Sequence, residues 1–237
     1  MQQKGVELQH KVVKIIKEAN KMKKEEIFSH IDHTQLKAFA TWDMIKTLCD
    51  EAALYHTASV CIPPNYIARV KEAYGDQINI CTVIGFPLGY SVTEAKVAEA
   101  KKALEDGASE VDMVVNISDV KNGDYQKVED EIRTIKEAVG DKILKVIIET
   151  CYLNEEEKVA MCKAVTNAGA DFIKTSTGFG TGGATREDIL LFKKHIGPEV
   201  RMKAAGGVKT ADDLEWFLNE GCDRIGTSSA AAMLAEK

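Results

Sequence analysis

The sequence predicts a (β/α)₈ barrel with an added N-terminal helix, and three observations predict it. Eight short apolar runs alternate with longer helical patterns from residue 28 onward. The segments "EDGASEVDMVV", "TNAGADFIKTS" and "LNEGCDRIGTS" repeat one design, a helix closed by glycine with a short strand almost at once behind it. The chain of 237 residues also suits a barrel, which commonly occupies about 250 residues as a single unit. Repeated βα units without a long antiparallel pattern imply a parallel sheet, and eight of them close most simply into a barrel. A doubly wound open sheet is the competing arrangement. Its dinucleotide-binding form requires a G-x-G-x-x-G after the first strand, and none is present there.

Taken in order, residues 1–26 form a helical extension of one barrel domain spanning 1–237. Val6, Val13, Ile16 and Ala19 share one face of an amphipathic helix, and "KMKKEE" is its solvated end. The candidate strands follow: Ser29 to Asp32, Ser59 to Ile62, Ile78 to Ile84, Glu110 to Val115, Ile143 to Glu149, Asp171 to Lys174, Val200 to Ala204 and Asp223 to Gly226. The helical patterns between them include "TWDMIKTLCDEAALYH", "SVTEAKVAEAKKALEDG" and "YQKVEDEIRTIKEAV". Thr41, Asn154, Thr185 and Thr210 stand where helix N-caps belong.

Composition narrows the function classes. Hydrophobic residues at 45% and charged residues at 29% are globular rather than disordered. A net charge of -6 gives no reason to expect nucleic acid as a partner, while small phosphorylated ligands stay open because local lysines and amides bind them regardless. No apolar run is long enough to span a membrane, and Glu7 and Glu18 argue against a transit peptide. Cys49, Cys61, Cys81, Cys151, Cys162 and Cys222 contain no C-x-x-C pair, so free thiols in a cytoplasmic protein are expected. The five histidines lack a metal-ligand spacing, and neither metal nor cofactor is expected.

Within a barrel, chemistry gathers at the C-terminal ends of the strands. The stretch "ADFIKTSTGFGTGG" ends a buried strand on Lys174 and then releases the chain into serines, threonines and glycines. A lysine whose stem covers apolar surface while its ammonium reaches water is one account of it. Asp32, Cys61, Asp112, Asn116, Glu149 and Lys203 occupy comparable strand ends. Strands four, six and seven lie near one another on the ring, so Asp112, Lys174 and Lys203 can converge. Each ammonium beside the other favours loss of one proton, and a neutral lysine attacks carbonyls to give an iminium, an electron sink. A purely structural Lys-Asp-Lys network remains the alternative. The loops "AAGGVKT" and "GTSSAAAML" place Gly206, Gly207, Gly226, Ser228 and Ser229 where barrels bind phosphate, although such glycines also serve tight turns.

"HIDHT", "VCIPP", "IGFPLG", "EVDMVVNI", "KVIIET", "ADFIKTSTGFGTGGAT", "MKAAGGVKT" and "RIGTSSA", in this order over residues 28 to 232, resemble the deoxyribose-phosphate aldolase family. The resemblance implies a metal-free (β/α)₈ barrel that reversibly cleaves 2-deoxy-D-ribose 5-phosphate to acetaldehyde and D-glyceraldehyde 3-phosphate. It implies Lys174 as the Schiff-base lysine, Lys203 as its partner and Asp112 as the proton-handling carboxylate. Asp32, Thr34, Cys61, Thr177 and Gly178 fall on positions that line the family's substrate pocket, and Glu149 is placed to support the lysines. Some members carry a basic residue where Phe179 stands and some end in a tyrosine where this sequence has "LAEK", so the phosphate is expected on backbone amides, Lys209 and the two serines. The partners implied are small sugar phosphates and aldehydes, with a homo-oligomer, dimer or tetramer, as the assembly. Two rivals stay open: a Schiff-base aldolase or transaldolase with a ketone donor, and a silent barrel that only binds a sugar phosphate.

Overall fold

The computed structural model describes residues 22–235. Eight parallel strands close into a barrel in sequence order: β1 (Ile31–Thr34), β2 (Ser59–Ile62), β3 (Ile80–Ile84), β4 (Glu110–Val114), β5 (Ile143–Ile147), β6 (Phe172–Lys174), β7 (Arg201–Ala205) and β8 (Cys222–Thr227). A short helix, α1 (Lys24–Phe28), precedes β1, and the crossovers carry α2 (Trp42–Tyr55), α3 (Ile67–Tyr74) and α4 (Thr93–Glu105). The second half carries α5 (Ile117–Asn122), α6 (Tyr125–Val139), α7 (Glu155–Asn167), α8 (Arg186–His195), α9 (Ala211–Asn219) and α10 (Ala230–Ala235). The expected helix face of Val6, Val13, Ile16 and Ala19 lies outside the described residues.

Thr41, Asn154, Thr185 and Thr210 each accept a hydrogen bond from a first-turn amide, and Asn154 and Thr210 complete capping boxes. Strand β2 matches its expected range, and the other strands differ from expectation by one or two residues at one or both ends. The largest displacement is at β1. Ser29 is expected to open the strand, but Ile27 and Phe28 are the buried face of α1, and Ser29 Oγ donates to the Glu26 carbonyl at that helix's end. The strand therefore starts two residues later, which puts Thr34 rather than Asp32 at its C-terminal edge. A second difference follows β4. Asn116, expected among the functional strand ends, caps the unanticipated helix α5 by accepting from the amides of Ser118 and Asp119.

The apolar core lies between sheet and helices. Val111, Met113, Leu144, Val146, Ile173, Met202 and Ala204 face outward onto the buried sides of α6, α7, α8 and α9. The alternate residues of the same strands face the barrel axis, as a period of two requires. In most barrels that axis is filled by branched apolar side chains. Here much of it is ionic: Asp32, Glu110, Asp112, Lys145 and Lys203 are all buried and bond one another across the ring.

Candidate active site

Register brings the charges together. Lys174 pairs with Lys203 across β6 and β7, and Asp112 pairs with Lys145 across β4 and β5, so inward parity sends all four side chains to the axis. Asp112 Oδ2 accepts from Lys174 Nζ at 2.7 Å and from Lys203 Nζ at 2.7 Å, while its Oδ1 accepts from Lys145 Nζ at 2.9 Å. Lys203 also reaches Asp32 Oδ2 at 2.5 Å. Deeper in the barrel, Arg224 bridges Asp32 and Glu110, at 2.6 Å from Asp32 Oδ1 and 3.0 Å from Glu110 Oε1, and Lys145 lies 2.6 Å from Glu110. Ser59 Oγ completes Asp32 with a donated bond of 2.8 Å.

Burial pushes the Asp112 carboxyl up, but Lys145, Lys174 and Lys203 more than reverse this and hold it well below the usual carboxylate range. Burial likewise pushes Lys203 down, and Asp112 and Asp32 reverse it, so Lys203 is held above the usual lysine range. Lys145 and Arg224 are raised for the same reason, each against its own burial. Four cationic side chains thus face three carboxylates: Lys145, Lys174, Lys203 and Arg224 against Asp32, Glu110 and Asp112.

Only one member of this network lines a cavity at the C-terminal end of the barrel. A cavity of about 390 Å³ at the C-terminal end of the barrel is lined by Lys174, whereas Asp112, Lys145 and Lys203 lie buried beneath it. Of the other expected site residues, Thr34, Thr177, Gly178, Gly206, Gly226 and Ser228 also line the cavity. Asp32 and Cys61 are fully buried and do not; Asp32 is part of the ionic layer, and Cys61 packs with Cys81 and Val83. Gly207, Lys209 and Ser229 lie on the loops that flank the cavity, outside its lining, with the Ser229 amide spent on Thr227 Oγ1. Gln35, Leu36, Lys37, Ala205 and Thr227 line it without having been anticipated, as does Phe179, which the sequence marks only as a place without a basic residue.

The walls are built by close approach. A Cβ on Gly226 would come within 3.3 Å of Lys203 Cε, so a side chain there would press on the buried amine. One on Gly183 would come within 2.4 Å of the Gly206 carbonyl, because the loops after β6 and β7 touch backbone to backbone. Glu149 has a different place from the one expected. Its backbone takes the left-handed conformation at φ 50°, and its buried carboxylate accepts from the Thr177 amide at 3.1 Å and from the Thr177 hydroxyl. Glu149 therefore holds the cavity loop rather than a lysine, and the Thr177 Oγ1 it fixes accepts from the Phe179 amide at 3.0 Å.

Among the described residues, the one His/Cys/Asp/Glu grouping compact enough for a metal is Cys61, Cys81 and Asp112. Both Asp112 oxygens already accept from ammonium groups, and Lys145 Nζ lies 3.2 Å from Cys81 Sγ, so a further cation there meets strong repulsion.

This arrangement has known counterparts. The family model described as DeoC/LacD family aldolase matches residues 28–232. The chain is 70% identical over 213 residues to the deoxyribose-phosphate aldolase of Clostridium botulinum (strain Alaska E43 / Type E3), covering 90% of this chain and 96% of that one. It is 60% identical over 210 residues to that of Clostridioides difficile (strain 630), covering 89% and 96%. Among solved structures, the tetrameric deoxyribose phosphate aldolase from Aeropyrum pernix superposes with a TM-score of 0.81 at 31% identity, covering 90% of this chain and 92% of that one. A buried lysine network that opens to a cavity through one amine is thus housed in a chain that belongs to the DeoC/LacD family of aldolases.

Proposed function

We propose that the chain reversibly cleaves 2-deoxy-D-ribose 5-phosphate to acetaldehyde and D-glyceraldehyde 3-phosphate through an iminium on Lys174. The observation that carries this reading is that Lys174 alone of the buried cations lines the cavity. Its neutral amine adds to the C1 aldehyde of the open-chain sugar, and loss of water from the carbinolamine gives the iminium. Deprotonation of the C3 hydroxyl breaks the C2–C3 bond. The electron pair moves into the iminium to give an enamine as glyceraldehyde 3-phosphate leaves. Protonation of the enamine carbon and hydrolysis then release acetaldehyde and regenerate the amine. Asp112 contributes from beneath: its Oδ2 lies 2.7 Å from both Lys174 and Lys203, so protons exchange along that bridge. Small sugar phosphates and aldehydes are the partners, and the same reading makes the protein a cytoplasmic homo-oligomer, for which the tetrameric Aeropyrum pernix relative is the support. Among the described residues no helix is long and apolar enough to cross a membrane.

Incubation with acetaldehyde followed by borohydride should leave one ethyl group per chain, located on Lys174 by mass spectrometry. A label confined to Lys203, or none on an active preparation, overturns the assignment. Activity should also survive exhaustive chelation, since the iminium supplies the electron sink. A loss with EDTA that a divalent ion restores would place the chemistry on a metal instead.

A further inference from the structure

The sequence leaves the substrate's phosphate without an obvious cation in the cavity. Phe179 lines the cavity as a half-exposed, uncharged ring set edge-on to Phe86, 5.4 Å between centroids. Lys209, the expected substitute, lies outside the lining. The lining contains no carboxylate and two cations, Lys174 at the barrel end and Lys37 on the loop after β1. Since β1 is hydrogen-bonded to β8, with His33 opposite Thr227, that loop adjoins the one carrying Ser228. Lys37 makes no ion pair with a described residue; its ammonium lies 5.6 Å from the centre of the exposed Phe39 ring. Gly178 contributes an amide with no protein acceptor among the described residues, because Glu149 and Thr177 Oγ1 take the amides on either side of it.

We propose that Lys37 is the cation that recognises the phosphate of the substrate, together with Ser228 and the Gly178 amide, and so sets the preference for phosphorylated over unphosphorylated sugars. This rests on the aldolase reading above. An ammonium without a carboxylate partner forms a charge-assisted bond to a phosphate without first breaking an ion pair. Its present ring contact is weak at an exposed site and easily given up. The distance along the cavity from Lys174 then acts as a gauge: the phosphate on Lys37 at one end places the C1 aldehyde at the amine.

The test compares kcat/KM for 2-deoxy-D-ribose 5-phosphate with kcat/KM for 2-deoxy-D-ribose in the wild type and in Lys37→Gln, Lys37→Arg and Lys209→Gln. Lys37→Gln should lower the ratio of the two by about tenfold, the size of one partly exposed charge-assisted bond, with the loss confined to the phosphorylated sugar. Lys37→Arg should restore most of the ratio, because the charge is kept. Raising the ionic strength should narrow the gap between wild type and Lys37→Gln. The proposal is overturned if Lys37→Gln leaves the ratio unchanged, lowers both activities in proportion, or is outdone by Lys209→Gln. Wild-type turnover and borohydride trapping are read separately, so a failure of the aldolase reading would appear there and not in the ratio.

Discussion

Lys174→Arg is expected to lower kcat/KM for 2-deoxy-D-ribose 5-phosphate by about 10⁴-fold or more and to abolish borohydride trapping of acetaldehyde. Arginine keeps a positive charge beside Asp112, as the protonated lysine does, so Asp112 retains a cation at each of its three ammonium positions and the barrel has no new reason to unfold. What it lacks is a neutral, nucleophilic form, since the guanidinium does not lose its proton in proteins. The substitution therefore separates charge from nucleophilicity at a position where the wild-type side chain supplies both. Thermal unfolding within a few degrees of wild type should accompany the loss. If the folded variant retains more than about a hundredth of the activity, the covalent step lies elsewhere and Lys174 is reduced to electrostatic support.

The barrel was legible because its pattern is redundant. Glycine-closed helices, capping threonines and short apolar runs each imply the same βα repeat, so a slip of two residues at β1 did not disturb the topology. That slip still mattered for the site. It put Asp32 at a strand end in the reading, whereas the structure sets it one layer down, bonded to Lys203, Arg224 and Ser59. Lys174, Asp112 and Lys203 were legible because inward parity on β4, β6 and β7 sends them to one axis, although Lys174 alone of the three ends its strand while Asp112 and Lys203 stand in the middle of theirs. Lys145, Glu110 and Arg224 lie below the C-terminal ends of their strands, away from the loops that mark the site. Yet "ILKVI" places a lysine at inward parity inside an otherwise apolar strand, and this alone marks a charge that must be paired. No comparable pattern marks Lys37. It is one polar residue in a loop, and only the closing of β1 against β8 brings it to the cavity. Glu149 was legible as a strand end, but its partner was not: the left-handed backbone turns it from the lysines to Thr177.

Lys203→Leu should move the acidic limb of the kcat/KM profile to higher pH by about one unit or more and lower activity at neutral pH by about a hundredfold. In the wild type, Lys203 is held in its charged form because Asp112 and Asp32 outweigh its burial. Its ammonium and that of Lys174 compete for one oxygen, Asp112 Oδ2, each at 2.7 Å. Removing Lys203 takes away a neighbouring positive charge and leaves Asp112 Oδ2 to Lys174 alone among these two. Both changes favour the proton on Lys174, so a higher pH is needed to free the amine. Below the limb, each unit of displacement costs about tenfold in the reactive form. The remaining loss comes from breaking the Lys174–Asp112–Lys203 path along which protons leave and return. Leucine leaves Asp32 with Arg224 and Ser59 as partners, so the variant retains charge compensation at that carboxylate. The rate of acetaldehyde trapping measured against pH isolates the effect, because acetaldehyde carries no phosphate and makes few other contacts. A folded Lys203→Leu variant whose trapping limb stays in place, or moves to lower pH, would remove Lys203 from control of the nucleophile. Its bonds to Asp32 and Asp112 would then serve only to hold the ionic interior of the barrel together.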